Sequence, residues 1–261
     1  MSGMTETPRP IRVVDLSIAR AGRPRSERVV DGATFEVESA GTLALMGPTG
    51  SGKSSLAKTL AGVTDAGLAV VGGDAWVEGI SVRRPGRRHR VLTYVAGYLP
   101  QSAGAALPAR QTVSEVIGDP ITSRDRNVNQ RALAVRVASL LDELMLPLGA
   151  ANKYPYELSA GMRQRVAIAR SFVLQPRVLI ADEPFANLDI EVREAVREAI
   201  VRRRRDYGMS TLLVTNEAET ATQLDAHVLV LRAGHAVAYG PSVDDLLWTP
   251  GSGADRRLIS T

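Results

Sequence analysis

Four short apolar runs punctuate the chain: Leu43-Ala44-Leu45-Met46, Val178-Leu179-Ile180-Ala181, residues 210–215 and Val228-Leu229-Val230-Leu231. Such runs, short and apolar on both alternating faces, predict strands buried in a parallel sheet. Residues 11–18 and 29–37 are rich in β-branched side chains and flank the polar stretch 19–28, which predicts a strand pair. Residues 69–82 are strand-like, with turns at Gly72-Gly73 and Gly79. Residues 83–90 read as a basic loop. Residues 91–99 alternate loosely and predict a strand that runs into a loop at Pro100-Gln101.

From residue 102 the period changes. Residues 111–117 and 129–145 place apolar side chains at helical spacing, including Leu133, Val137, Leu140, Leu141 and Leu144. Ser159 is a plausible N-cap for a helix that runs to about Leu174, and residues 190–205 form an arginine-faced amphipathic helix. The pattern predicts an α/β fold. Its core (41–101 and 158–232) is a mostly parallel sheet with flanking helices. An antiparallel β-subdomain (11–40) precedes it, an α-helical subdomain (102–157) is inserted into it, and a tail (233–261) comes after it, helical at 243–248. Residues 1–10 read as a disordered lead.

The residues at the end of the first apolar run change the picture from fold to chemistry. Gly47-Pro48-Thr49-Gly50-Ser51-Gly52-Lys53-Ser54 fits G-x-x-x-x-G-K-S/T, with a strand before it and a helix from Ser55 onward. Glycines let the backbone turn tightly and bring N–H groups against phosphate oxygens, at the positive end of a helix dipole. Lys53 reaches the β- and γ-phosphates, and the Ser54 hydroxyl can take one position on Mg²⁺. The chain is therefore expected to bind a nucleoside triphosphate as a P-loop NTPase. At the end of the second run, Asp182 can bind Mg²⁺ through water and Glu183 can polarise an attacking water as a general base. The competing structural role for this acid pair is a helix N-cap followed by a first-turn acid.

Composition trims the options. With 44% hydrophobic and 23% charged residues, the 261-residue chain is ordinary for a soluble globular protein. It has no cysteine, and His89, His227 and His235 are not spaced as a ligand pair, which argues against a structural zinc site. No apolar run approaches the ~18 residues of a transmembrane span, and the N-terminus lacks an apolar signal core. The expected location is the cytoplasm, with membrane association through a partner. Net charge is +4, with clusters at Arg83-Arg84, Arg87-Arg88-His89-Arg90 and residues 202–205. Only 4% of residues are aromatic and none are interleaved with these clusters, so solvated faces or a nearby anionic lipid are favoured and no nucleic-acid partner is expected.

Taken together, these motifs resemble the ATP-binding subunits of ABC transporters over nearly the whole chain. Residues 47–54 match the Walker A loop. Gln101 matches the Q-loop glutamine, which in the family touches Mg²⁺ and senses the transmembrane subunit. Leu158-Ser159-Ala160-Gly161-Met162 matches the signature, usually LSGGQ. Asp182 and Glu183 match the Walker B aspartate and the catalytic glutamate, and Asn187-Leu188-Asp189 matches the D-loop. The resemblance implies ATP and Mg²⁺ as ligands, with ATP sandwiched between the Walker motifs of one subunit and Ser159, Gly161 and Asp189 of a second. It also implies permease subunits at the cytoplasmic face of a membrane, and a solute-binding protein acting indirectly. Residues 161–170, 179–184 and the lead Tyr154-Pro155-Tyr156-Glu157-Leu158 look most like importers of peptides, nickel and metal-chelating opines. An exporter ATPase or a soluble ABC-type ATPase remains open.

Three departures stand out. Asn216 occupies the place of the family's switch histidine. It can donate a hydrogen bond to a γ-phosphate but carries no proton or charge. The aromatic residue that stacks on adenine is missing near residues 16–21, where Arg20 is closest and can stack through its guanidinium plane. Ala160 and Met162 replace the usual glycine and glutamine. The importer group also has an HPYT-containing extension; here Pro250-Gly251-Ser252-Gly253 stands in that region. These departures suggest one half of a heterodimer, with a homodimer as the alternative.

Overall fold

A computed structural model describes residues 9–20, 27–63 and 67–249. A small antiparallel sheet is built from β1 (Ile11–Arg20), β2 (Arg28–Val37), β4 (Leu68–Val77) and β5 (Ile80–Ser81), in the order β2-β1-β4-β5. The main sheet holds β3 (Thr42–Met46), β6 (Ala96–Leu99), β7 (Val178–Asp182), β8 (Ser210–Val214), β9 (His227–Arg232), β10 (His235–Gly240) and β11 (Leu247–Trp248). Its order is β11-β10-β9-β3-β8-β7-β6; the run from β9 to β6 is parallel, and β10 and β11 add an antiparallel edge. The helices are α1 (Lys53–Leu60), α2 (His89–Val95), α3 (Val113–Thr122), α4 (Gln130–Glu143), α5 (Ala160–Phe172), α6 (Ile190–Tyr207) and α7 (Ala218–Gln223).

The apolar runs are buried on both faces because they separate different cores. On β7, Val178 and Ile180 join the core shared with the small sheet and α1, whereas Leu179 and Ala181 join the core under α3 to α6. On β8, Leu212 and Val214 point the first way and Leu213 the second. A period of two with no polar phase is what covering both faces requires.

The helices start where their caps dictate. Thr112 and Glu115 form a reciprocal capping box at α3, and Asn129, Ser159 and Asp189 cap α4, α5 and α6 with side-chain oxygens. Gly208, at φ 64°, ends α6 in the left-handed conformation. Two arginines tie the helical lobe down. Arg170 bonds Asp119 at 2.7 Å, and Arg203 grips Glu143 at 2.5 and 2.7 Å while its guanidinium lies 3.9 Å from the Phe172 ring centroid.

Several sequence expectations are corrected. Residues 91–95 are helical, and only residues 96–99 form a strand. Leu92 is buried beneath Gly62, where an added Cβ would lie 2.6 Å from its Cδ2, so tertiary packing sets the turn of α2. The basic stretch 83–90 is likewise not all loop: a 3₁₀ turn spans Gly86–Arg88 and α2 starts at His89. Residues 68–81, expected in the core, belong to the small sheet, where β4 pairs with β1 and β5 with β4. Residues 235–240, expected as tail, extend the main sheet. Residues 243–248 are not helical: Ser242 bonds the Asp245 side chain and amide, a local turn that competes with helix, before β11 pairs with β10. Of the expected disordered lead, Arg9 ion-pairs with Glu36 and Pro10 is buried; residues 1–8 lie outside the described residues, as does the 250–253 segment.

Arg203→Ala is expected to destabilise the chain by about 3 kcal/mol, because Glu143 would keep only Arg202 at 3.7 Å. Urea unfolding checks this.

Candidate functional site

The parallel ladder brings three strand ends together. Leu45 of β3 and Asp182 of β7 both pair with Val214 of β8. The segments that leave these strands therefore emerge at one edge of the sheet: the Gly47–Ser54 loop, Glu183, and Thr215-Asn216.

The loop backbone is fixed by glycine. Gly47 has φ 134°, and a Cβ there would lie 1.9 Å from the Leu231 carbonyl oxygen; Gly52 has φ 104° and would meet the Val29 oxygen at 2.2 Å. Ser51 N–H donates to Pro48 at 3.1 Å, the Ser51 carbonyl accepts from Gly234 at 3.1 Å, and Thr49 and Gly50 form the exposed tip. No side chain caps α1, so its first N–H groups remain available to an anion, and Ser55 stands in that first turn. Lys53 is buried, with its ammonium donating to the Gly47 carbonyl at 2.5 Å and the Pro48 carbonyl at 3.0 Å. Burial holds its pKa below the ordinary lysine value, opposed by the charges of Asp182 and Glu183.

Asp182 is 1% exposed. Burial pushes its carboxyl pKa up from 3.8, against a hydrogen bond from Ser54 and the charge of Lys53. Its Oδ2 has no hydrogen-bond partner. A buried anionic oxygen without a donor, next to a serine hydroxyl, fits a divalent cation with oxygen ligands. The N-cap role does not apply to this acid pair, since α6 begins only at Ile190 and Asp189 is its cap.

Glu183 sits at φ 52°, with its amide donating to the Val214 carbonyl at 3.0 Å. Gln101 Nε2 donates to Glu183 Oε2 at 3.0 Å, and Ser102, the next residue, has φ 56°. Left-handed backbone at non-glycine residues costs on the order of 1–3 kcal/mol each and collects at functional positions. No sequence signal announced it. Asn216 Oδ1 accepts the Gly47 N–H at 3.1 Å, which leaves its amide protons for another acceptor. A cleft of about 180 Å³ lies between Glu183, Phe185, Thr215 and Asn216.

Ser159, Gly161 and Asp189 stand together elsewhere. Ser159 Oγ accepts from Met162 N–H at 3.2 Å, Asp189 caps α6 at 2.9 Å, and a Cβ on Gly161 would lie 3.3 Å from the Asn187 carbonyl. Arg20 ends β1 and is exposed. The sequence reading missed one clamp. Arg193 holds Glu217, next to Asn216, at 3.0 and 3.1 Å and bonds the Leu188 carbonyl at 3.3 Å. It joins the segment before α6 to the segment after β8. An arginine near the start of an arginine-rich helix gives no hint of this in sequence.

Residues 30–186 match the family described as ABC transporter. The oligopeptide transport ATP-binding protein OppF of Escherichia coli is 28% identical over 237 residues, 91% of this chain and 70% of that protein. OppD of Mycobacterium tuberculosis, also an oligopeptide transport ATP-binding protein, is 32% identical over 89% of this chain but only 37% of its own length. A dimeric ATP-binding cassette solved in a post-hydrolysis state with ADP and Pi superposes with a TM-score of 0.79 at 20% identity, over 88% of this chain and 97% of that one.

Asp182→Asn removes a charge that burial disfavours. A raised carboxyl pKa contributes stability below the ordinary value that is lost as pH rises through the raised one. The ligand-free variant is therefore expected to melt a few degrees higher than wild type at pH 7, with the difference vanishing below about pH 4. It should gain much less stability from Mg²⁺-ATP. Thermal melts across pH, with and without ligand, check both.

Proposed function

The chain belongs to the ABC transporter family, and from that premise we propose that it is the ATP-hydrolysing subunit of a membrane importer in the group that takes up peptides, nickel or metal-chelator complexes. The observation that carries the hydrolytic part is the Gln101–Glu183 contact at 3.0 Å, on the same sheet edge as Lys53 and Asp182. The names of the oligopeptide transport relatives support the peptide-transport part, and a Pseudomonas fluorescens relative named an Fe(3+) ions import ATP-binding protein, 34% identical over 77% of this chain, supports the importer part.

In this reading the N–H groups of residues 47–55 and the Lys53 ammonium bind the phosphates. Ser54, Asp182 and Gln101 would hold Mg²⁺, which neutralises charge that develops on the phosphates. Glu183 accepts the proton of the attacking water, and Gln101 orients that carboxylate. Asn216 donates from Nδ2 to the γ-phosphate but brings no positive charge, so this site hydrolyses slowly. Ser159, Gly161 and Asp189 complete the site of a second ATP-binding subunit, and the pairing is heterodimeric. Permease subunits hold the chain at the cytoplasmic face of the membrane. Among the described residues no helix is long and apolar enough to cross it. The solute-binding protein acts through the permease.

Purified chain is expected to bind Mg²⁺-ATP and hydrolyse it slowly, and Glu183→Gln to abolish hydrolysis while preserving binding. Asn216→His should raise kcat on the order of tenfold or more, through the charge that histidine can bring to the γ-phosphate. Steady-state hydrolysis over a range of protein concentrations decides: a fast wild-type rate that climbs more steeply than concentration would mean that two identical copies suffice.

A further inference from the structure

The two arginine clusters look alike in sequence and differ in the folded chain. Along α6 each arginine has an acid: Arg202 and Arg203 reach Glu143, Arg204 reaches Asp225 and Arg205 reaches Asp206. Arg83, Arg84, Arg87, Arg88 and Arg90 lie at the surface, and none forms an ion pair among the described residues. Their hydrogen bonds go to backbone instead: Arg83 to the Gly73 carbonyl, Arg88 to the Gly79 carbonyl, and Arg90 to the Arg124 carbonyl. The nearby acids are committed elsewhere. Asp74 accepts from Ser81, the Ala75 amide and, at 3.4 Å, the Arg83 amide but no guanidinium, Glu78 pairs with Arg177, and Asp119 pairs with Arg170.

Arg124, from the segment after α3, joins this group. It bonds the Arg90 and Thr93 carbonyls, and the charge of Arg90, after burial, lowers its pKa. Two guanidinium groups are thus held close without a carboxylate between them. On the same short helix Val91 is 47% and Tyr94 49% exposed. Cations with flexible apolar stems beside an exposed aliphatic and an exposed tyrosine have the composition of a membrane-interface face.

We propose that the 83–94 face, with Arg124, docks on an anionic phospholipid surface. The choice of lipid rests in part on the reading of the chain as a membrane transporter subunit. It rests also on Tyr94: the Arg124 guanidinium lies 5.8 Å from its ring centroid, so one face of this ring is taken by a cation rather than left for a nucleic-acid base. The surface adds a weak second anchor beside the permease and orients the small sheet and α2 toward the headgroups.

The test is co-sedimentation of the full chain, without nucleotide or permease, with vesicles of phosphatidylcholine alone or with about 30% phosphatidylglycerol, enough for a strong surface potential. Binding is expected only to the anionic vesicles, and to fall steeply as salt shortens the Debye length. Replacing Arg83, Arg84, Arg87 and Arg88 by Gln should lower partitioning on the order of 100-fold, whereas replacing the same four by Lys should retain most of it. ATP hydrolysis and melting temperature are measured on each variant, so failure of the catalytic reading registers separately. If the quadruple variant does not fold, Arg87→Gln/Arg88→Gln with the wild-type salt titration stands in. Equal binding to neutral vesicles, no loss in the Gln variants, or retention of a DNA duplex with no vesicle binding would each overturn the proposal.

Discussion

The register of β3, β8 and β7 is the constraint on which the site depends. Parallel strands about 4.8 Å apart carry no freedom to slide once both faces are buried, because a one-residue slip would exchange the two cores. Leu45 and Asp182 are therefore level with Val214. The ladder continues into the site itself: Thr215 donates to the Leu45 carbonyl at 3.2 Å and Glu183 to the Val214 carbonyl at 3.0 Å. Those two bonds hold Glu183 in its left-handed conformation and aim Asn216 at the Gly47 amide.

The same burial that fixes the register makes the site's charges costly. Lys53 and Asp182 are buried at the sheet edge, and burial displaces both pKa values toward neutrality. Burial strengthens interactions with a phosphate or cation, and Asp182 Oδ2 has no hydrogen-bond donor. A ligand of opposite charge would offset this cost, and its binding would then raise stability. The Arg193–Glu217 ion pair ties the segment after β8 to the Leu188 carbonyl, beside Asp189.

Arginine serves two purposes in this chain. On α6 it is internal structure: Arg203, shielded between Glu143 and Phe172, is a bidentate tie between lobe and core. Around residues 83–90 the recorded partners of the same side chain are single carbonyls, which bring no opposite charge. Composition does not separate these cases, because the partners that decide them, such as Glu143, lie tens of residues away.

Much of the chain was legible by itself. The apolar runs dictated buried strands, the cap Ser159 marked a helix start, and the glycine spacing of residues 47–54 dictated a tight loop, since only glycine fits where a Cβ would strike Leu231 or Val29. These are local properties: period, cap chemistry and allowed φ. Tertiary structure decided what local chemistry leaves open. It made residues 91–95 helical by seating Leu92 under Gly62, and it put β4 in the small sheet by pairing it with β1, far back in the chain. It also brought Gln101 to Glu183 across 82 positions. Long-range pairing is set by which faces must be covered together, and a single stretch of sequence contains only one side of that contact.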